Sequence, residues 1–166
     1  TTEKNFENKV DEFIKGIISI NENLVVIYPN NDFGSEYIIS QYQKLLKHRK
    51  NFKLFPSLRF EYYLTLLKNC RFIIGNSSSG IHEAPYFFKP AINIGDRQNL
   101  RSKSKHIINS NYSEEEIKSA YLKFQKNQFK FDNLEFGEGK SNSIFIKTLN
   151  SDSFWNTTLQ KFLNEI

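Results

Sequence analysis

The sequence predicts an α/β fold, a Rossmann-like parallel sheet with helices on both faces. Three observations carry that expectation. The run LVVIY at 24–28 is β-branched and shows no polar–apolar alternation, as a strand buried on both faces requires, and AINI at 91–94 reads the same way. Further short apolar runs, FKLF at 52–55 and FII at 72–74, stop at Pro56 and Gly75. Between the runs lie stretches of three-to-four apolar spacing, each long enough for a crossover between parallel strands.

Taken in order, Thr2 is placed to cap a helix whose Phe6, Val10, Phe13, Ile14 and Ile17 fall on one face. Asn21-Glu22-Asn23 is a turn into the first strand, which Pro29 stops. The loop Asn30-Asn31-Asp32 with Gly34 leads into a helix carrying Ile38, Ile39, Tyr42, Leu45 and Leu46. After the second strand a helix is expected over 59–68, with Asn69 as its stop. The third strand opens the loop Asn76-Ser77-Ser78-Ser79-Gly80, a helix over 81–87, and the next strand beyond Pro90. His106-Ile107-Ile108 reads as an edge strand. Ser113 with Glu116 three residues on is a capping box for a helix reaching about Asn127. The stretch 129–140 lacks a period and reads as loop. A short helix follows at 141–149, and Ser153 is placed to cap a last one carrying Trp155, Leu159, Phe162, Leu163 and Ile166.

The chain is organised around residues 72–101. In an open sheet of this kind, ligands sit beyond the carboxyl ends of the strands. A loop entering a helix presents unpaired N–H groups at the positive end of the helix dipole, which suits an anion. The serines add hydroxyl donors, and Gly80 lets a bulky group approach the backbone. Arg97, just past the following strand, offers a permanently charged fork suited to phosphate. Glu83 would repel phosphate, so it reads better as an acceptor for the paired hydroxyls of a sugar. The plain alternative is a serine-rich turn with solvated charges around it.

Gly75-Asn76-Ser77-Ser78-Ser79-Gly80-Ile81 with Glu83, Pro90, the run Asn93-Ile94-Gly95-Asp96-Arg97-Gln98 and Arg101 resemble the UDP-N-acetylglucosamine 2-epimerases. The likeness is to the hydrolysing branch, which serves sialic-acid-type sugars. Tyr28-Pro29-Asn30-Asn31-Asp32-Phe33-Gly34-Ser35 is a second match and Gly137-Glu138-Gly139-Lys140-Ser141 a weaker third. The resemblance covers nearly the whole chain and implies the C-terminal half of a GT-B type two-domain fold. It implies that Ser77 and Ser78 hold a diphosphate approached over Gly80, that Arg97 lies against it, and that Glu83 takes the ribose hydroxyls. Asn30 is then a nucleotide contact, and Phe55 either touches uracil or belongs to the core. In that family the C2 proton is removed, UDP leaves to give a glycal, and water adds. The carboxylates for those steps, and a histidine ahead of the first helix, are expected in an N-terminal half. No catalytic residue is therefore expected here, and no cofactor or metal is called for. The implied partners are a UDP-sugar and the N-terminal domain, with self-association left open and helix 153–166 expected to cross back to that domain.

Composition bounds the rest. A length of 166 residues suits one domain, and 39% hydrophobic with 25% charged residues suits a globular protein. No run approaches a membrane span, and no basic-then-apolar leader opens the sequence. The charge of +5 is scattered, which favours small anions weakly and argues against nucleic acid. The aromatics recur at core spacings. Cys70 lies beside an apolar strand with no histidine near in sequence, reads as a small core residue, and suits a reducing cytoplasm. His48, His82 and His106 lack zinc-site spacing. The chain has no methionine and opens directly into helical pattern, which reads as a piece of a longer protein cut at a domain boundary, a trimmed mature start being the alternative. Two rival functions remain at this point: a GT-B glycosyltransferase half, against which the run from Asn93 to Gln98 speaks, and a non-catalytic nucleotide-sugar-binding module.

Overall fold

The computed structural model describes residues 3–131 and 135–158. The chain divides into two compact units, Thr1–Asn133 and Leu134–Ile166. In the first, the order is α1 (Glu3–Ser19), β1 (Leu24–Ile27), α2 (Ser35–His48), β2 (Phe52–Phe55), α3 (Phe60–Asn69), β3 (Ile73–Gly75), α4 (Ser79–His82), a 3-10 turn (Ala84–Phe87), β4 (Ala91–Ile94), β5 (Ile107–Ser110) and α5 (Glu114–Lys126). Every strand pair is parallel, in two ladders: β1 with β2, and β3–β4–β5.

Side chains alternate across a strand, so each strand has two sets of neighbours. Ile92 and Ile94 of β4 face one way, into a core with Ile17, Ile20, Ile117, Ala120 and Phe124. Ala91 faces the other way, against α4, where a Cβ on Gly80 would lie 3.1 Å from the Ala91 Cβ. The β3–β4–β5 ladder thus has helices on both faces, and all four residues of β4 are buried. In the other ladder the inner set, Phe52 and Leu54 with Leu24 and Val26, packs on Val10, Ile14 and Leu45 of α1 and α2. The outer set is open, with Val25 48% exposed beside exposed Lys53. The expectation that β1 is buried on both faces is therefore corrected. Its apolar run reflects β-branched preference, but among the described residues only one side has a layer on it.

Local chemistry explains the other departures. The helix foreseen over 81–87 breaks into α4 and the 3-10 turn because Pro85 has no N–H to give the carbonyl one turn back. Ser113 caps α5, accepting from the Glu116 N–H at 3.3 Å. Glu116 reaches past it to Asn111, accepting from its backbone N–H at 3.2 Å and its Nδ2 at 3.0 Å. Those bonds favour the ionised form and lower the Glu116 carboxyl below its ordinary range. Cys70 sits at the C-cap of α3, not at a strand edge, and burial pushes its thiol up. The general expectation that the aromatics serve the core is corrected in part, since Phe33, Phe60, Tyr62 and Phe88 are exposed.

The second unit holds α6 (Ser141–Leu149) and α7 (Asp152–Trp155). The cap of α7 is Ser151, which accepts from the Phe154 N–H, and α7 ends at Trp155 with Asn156 as its C-cap. The helix expected to start at Ser153 and run on to 166 is corrected to a single turn that starts earlier and stops before Leu159. The apolar positions from Leu159 onward, and the Thr2 cap, lie outside the described residues. Among the described residues no helix is long and apolar enough to cross a membrane.

Candidate functional site

Register brings the sequence-predicted residues to strand ends. Gly75 closes β3 opposite Asn93 of β4, and β4 ends at Ile94 opposite Ser110. The serine loop leaves the first of these ends and the arginine loop, 95–101, leaves the second. Parallel pairing puts both at one edge of the ladder. The loops then touch, because Gln98 Nε2 donates to the Asn76 carbonyl oxygen at 3.1 Å. Arg97 is thereby held on the same side of the sheet as Ser77.

Within the serine loop, Ser77 and Ser78 are exposed while Ser79 and Gly80 are buried. Ser77 Oγ accepts from the Ser79 N–H at 3.2 Å, which leaves its O–H free to donate outward. Ser79 Oγ is in short hydrogen-bond contact with the Tyr63 hydroxyl of α3. Burial raises the Tyr63 phenol; the Ser79 bond opposes that rise, and the nearby Glu83 charge adds to it. Glu83 is the C-cap of α4, and its Oε2 is buried with no hydrogen-bond partner. A carboxylate oxygen shut away from water without a donor is costly, and a donor from a ligand would satisfy it. Because α4 is a single turn, its dipole is small, and the grip on an anion rests more on loop hydroxyls and Arg97 than on a helix end.

Tyr112 backs both loops. Burial chiefly raises its phenol; the Asp96 charge adds to the rise, while the nearby Asn76 side chain and the Arg97 charge oppose it. Gly95 turns the arginine loop at φ +77°, and a Cβ there would lie 2.7 Å from Tyr112. A cavity of about 10 Å³, the size of one water, lies under the serine loop between Ile73, Gly75, Ser77, Gly80, Ile81 and Asn93. A polar pocket of about 120 Å³ opens beside it, lined by Gly95, Asn99, Asn109, Ser110, Asn111 and Glu116.

Asn30 and Phe55 form a second group. Ile27 pairs with Phe55, the Tyr28 N–H donates to the Phe55 carbonyl at 3.0 Å, and Asn30 follows three residues after β1. Both sit at the carboxyl edge of the β1–β2 ladder, exposed. Sequence reasoning missed Tyr63 and Tyr112 as parts of the site. Tyr63 reads as another apolar residue of α3, and nothing near Tyr112 in sequence points to Asn76.

With that geometry in view, the family model described as UDP-N-acetylglucosamine 2-epimerase matches residues 2–150. The chain belongs to that family. The UDP-N-acetylglucosamine 2-epimerase of Neisseria meningitidis is 38% identical over 154 residues, 90% of this chain and 40% of the relative. The GDP/UDP-N,N'-diacetylbacillosamine 2-epimerase (hydrolyzing) of Campylobacter jejuni is 34% identical over 131 residues, 76% of this chain and 33% of the relative. The chain thus spans 40% or less of the length of these two curated relatives. Among solved structures, the UDP-GlcNAc 2-epimerase of Methanocaldococcus jannaschii in complex with UDP-GlcNAc and UDP superposes with TM-score 0.71 at 20% identity, over 88% of this chain and 41% of that one. The match falls on the C-terminal half of that epimerase, which gives this chain the fold of a GT-B type C-terminal half.

Proposed function

We propose that this epimerase-family chain is the UDP-gripping half of a hydrolysing UDP-N-acetylglucosamine, or related UDP-HexNAc, 2-epimerase. The whole enzyme releases UDP and a 2-epimerised amino sugar such as N-acetylmannosamine, in the cytoplasm, for sialic-acid-type products. The observation that carries this reading is one sheet edge where the loop of exposed serine hydroxyls is bonded to the loop that carries the Arg97 guanidinium, with an unpartnered carboxylate oxygen at the far end of the single-turn α4. A pyrophosphate suits the first two and a ribose diol the third. Ser77 and Ser78 donate to the diphosphate where it passes over Gly80, Arg97 neutralises it, and Glu83 accepts from the ribose hydroxyls. Asn30 and Phe55 extend the site towards the base.

The reaction breaks the C1–O bond to UDP as the C2 proton leaves, giving a glycal. Water then adds its OH to C1, and a proton returns to C2 on the opposite face. Holding the diphosphate against Arg97 and the serine hydroxyls stabilises the negative charge that builds on the leaving group. The acid and base belong to the half of the relatives that this chain does not match, so this chain binds UDP without turning substrate over. Titration calorimetry tests the assignment: UDP binds, and Arg97→Ala or Ser78→Ala weakens it about tenfold or more, as expected for losing a hydrogen bond to a charged group. Equal heats for both variants and the unaltered chain would count against it.

A further inference from the structure

Gln98 is the exception in the arginine loop. Asp96, Arg97, Asn99 and Leu100 around it are exposed, whereas Gln98 is 3% exposed. A buried amide needs partners at both ends. Nε2 donates to the Asn76 carbonyl oxygen at 3.1 Å, and Oε1 accepts from Arg101 Nη1 at 3.1 Å. A carbonyl can only accept and a guanidinium can only donate, so these partners allow the amide one way round. The first bond ties the residue before Ser77 to the residue after Arg97. The far side of the arginine loop is held by Asn93, whose Nδ2 bonds Asn99 Oδ1 at 3.2 Å and Asn109 Oδ1 at 2.9 Å.

We infer that Gln98 is a positioning residue that latches the serine loop and the arginine loop into one preformed grip for the diphosphate of a nucleoside diphosphate. The inference rests on the proposed UDP-binding reading and deepens it. Gln98 is enclosed by protein and need not touch the ligand. Its effect runs through Arg97: with the latch closed, the backbone that carries the guanidinium is already tied to the serine loop, and with it open, binding must order the loop first. Uridine, which lacks the phosphates, does not use the latch.

The test titrates the 166-residue chain with UDP and with uridine, for Gln98→Leu, Gln98→Glu, Arg97→Ala and the Gln98→Leu/Arg97→Ala pair. Each Gln98 variant is expected to weaken UDP on the order of tenfold and leave uridine unchanged. The double variant is expected to bind UDP no more weakly than Arg97→Ala alone, because the two act through one route. Additive losses in the double variant, equal losses for uridine and UDP, or no loss at all overturn the latch. Arg97→Ala binding UDP as well as the unaltered chain sinks the underlying reading instead. Gln98→Glu keeps the size and the acceptor for Arg101 while removing the donor to Asn76, so it carries the test if Gln98→Leu fails to fold.

Discussion

The two ladders end in edges of opposite character. At the carboxyl edge of β3–β4–β5 two buried amides cross-tie the loops while Ser77, Ser78 and Arg97 stay exposed: Asn93 is 4% exposed and its Nδ2 bonds three partners, and Gln98 joins two loops. At the edge of β1–β2 the residues are exposed; Phe55 is 37% exposed, and Phe33 and Asn30 face solvent. A buried polar network rigidifies only when its members are satisfied. At the first edge Asn93 Nδ2 and both ends of the Gln98 amide are bonded while Asn93 Oδ1 lacks a partner, and this largely tied edge suits a fixed, charged target. The second offers surface to a flat, weakly polar one such as a base. The lesson is that two ends of one proposed ligand would meet very different degrees of preparation in the protein.

The comparison can be broken most severely in the strands themselves. Ile92, 1% exposed, sits in the strand buried throughout, so Ile92→Ala is expected to destabilise by about 2–5 kcal/mol in urea unfolding. Val25→Ala, on the open face of β1, should stay within about 0.5 kcal/mol, and similar losses for the two would erase the asymmetry. Next in size, Glu83→Gln should weaken UDP about tenfold or more, since bonds to a charged acceptor are worth about 1.5–3 kcal/mol. Its thermal midpoint should hold or rise, because the unpartnered oxygen loses its charge; a falling midpoint with unchanged affinity would make Glu83 a structural residue. Gly95→Ala should destabilise by about 1–2 kcal/mol for the left-handed backbone alone. It should also weaken UDP, because either the Tyr112 ring or the arginine loop that Gly95 opens must move aside.

The smallest effect sharpens the picture of the β1–β2 ladder. Tyr42 of α2 packs on its inner face, and burial pushes the phenol up to about 12. The folded value lies above the ordinary value of 10.0, so folding favours the neutral phenol. This contribution is whole below about pH 10 and lost as pH rises towards 12. Tyr42→Phe should flatten stability across that interval in a urea-by-pH series. An unchanged slope would mean that the inner face is as wet as the outer one.

How much was legible in the sequence follows the range of each interaction. Helix stripes, strand runs and the Ser113 cap depend on neighbours within a turn or two, and they lie where the pattern puts them. The break at Pro85 was legible in principle, since it concerns one missing N–H. The exposed outer face of β1 was not, because Val25 has the same chemistry whether or not a layer covers it. Of the site, Ser77, Ser78, Gly80, Glu83 and Arg97 were legible through the motif that carries the family likeness. Tyr63 and Tyr112 were not: the residues they meet, Ser79 and Gly95, lie 16 and 17 residues away.

By itself the sequence determined the succession of strands and helices, the placing of small and charged residues after the strands, and membership of the epimerase family. Only the tertiary structure decided that the loop after β3 and the loop after β4 are bonded to each other, that an oxygen of Glu83 lacks a donor, and that one ladder keeps an open face. Those outcomes depend on parallel register and on which surfaces meet. Such contacts join residues far apart in the chain, and no local pattern of side chains records them.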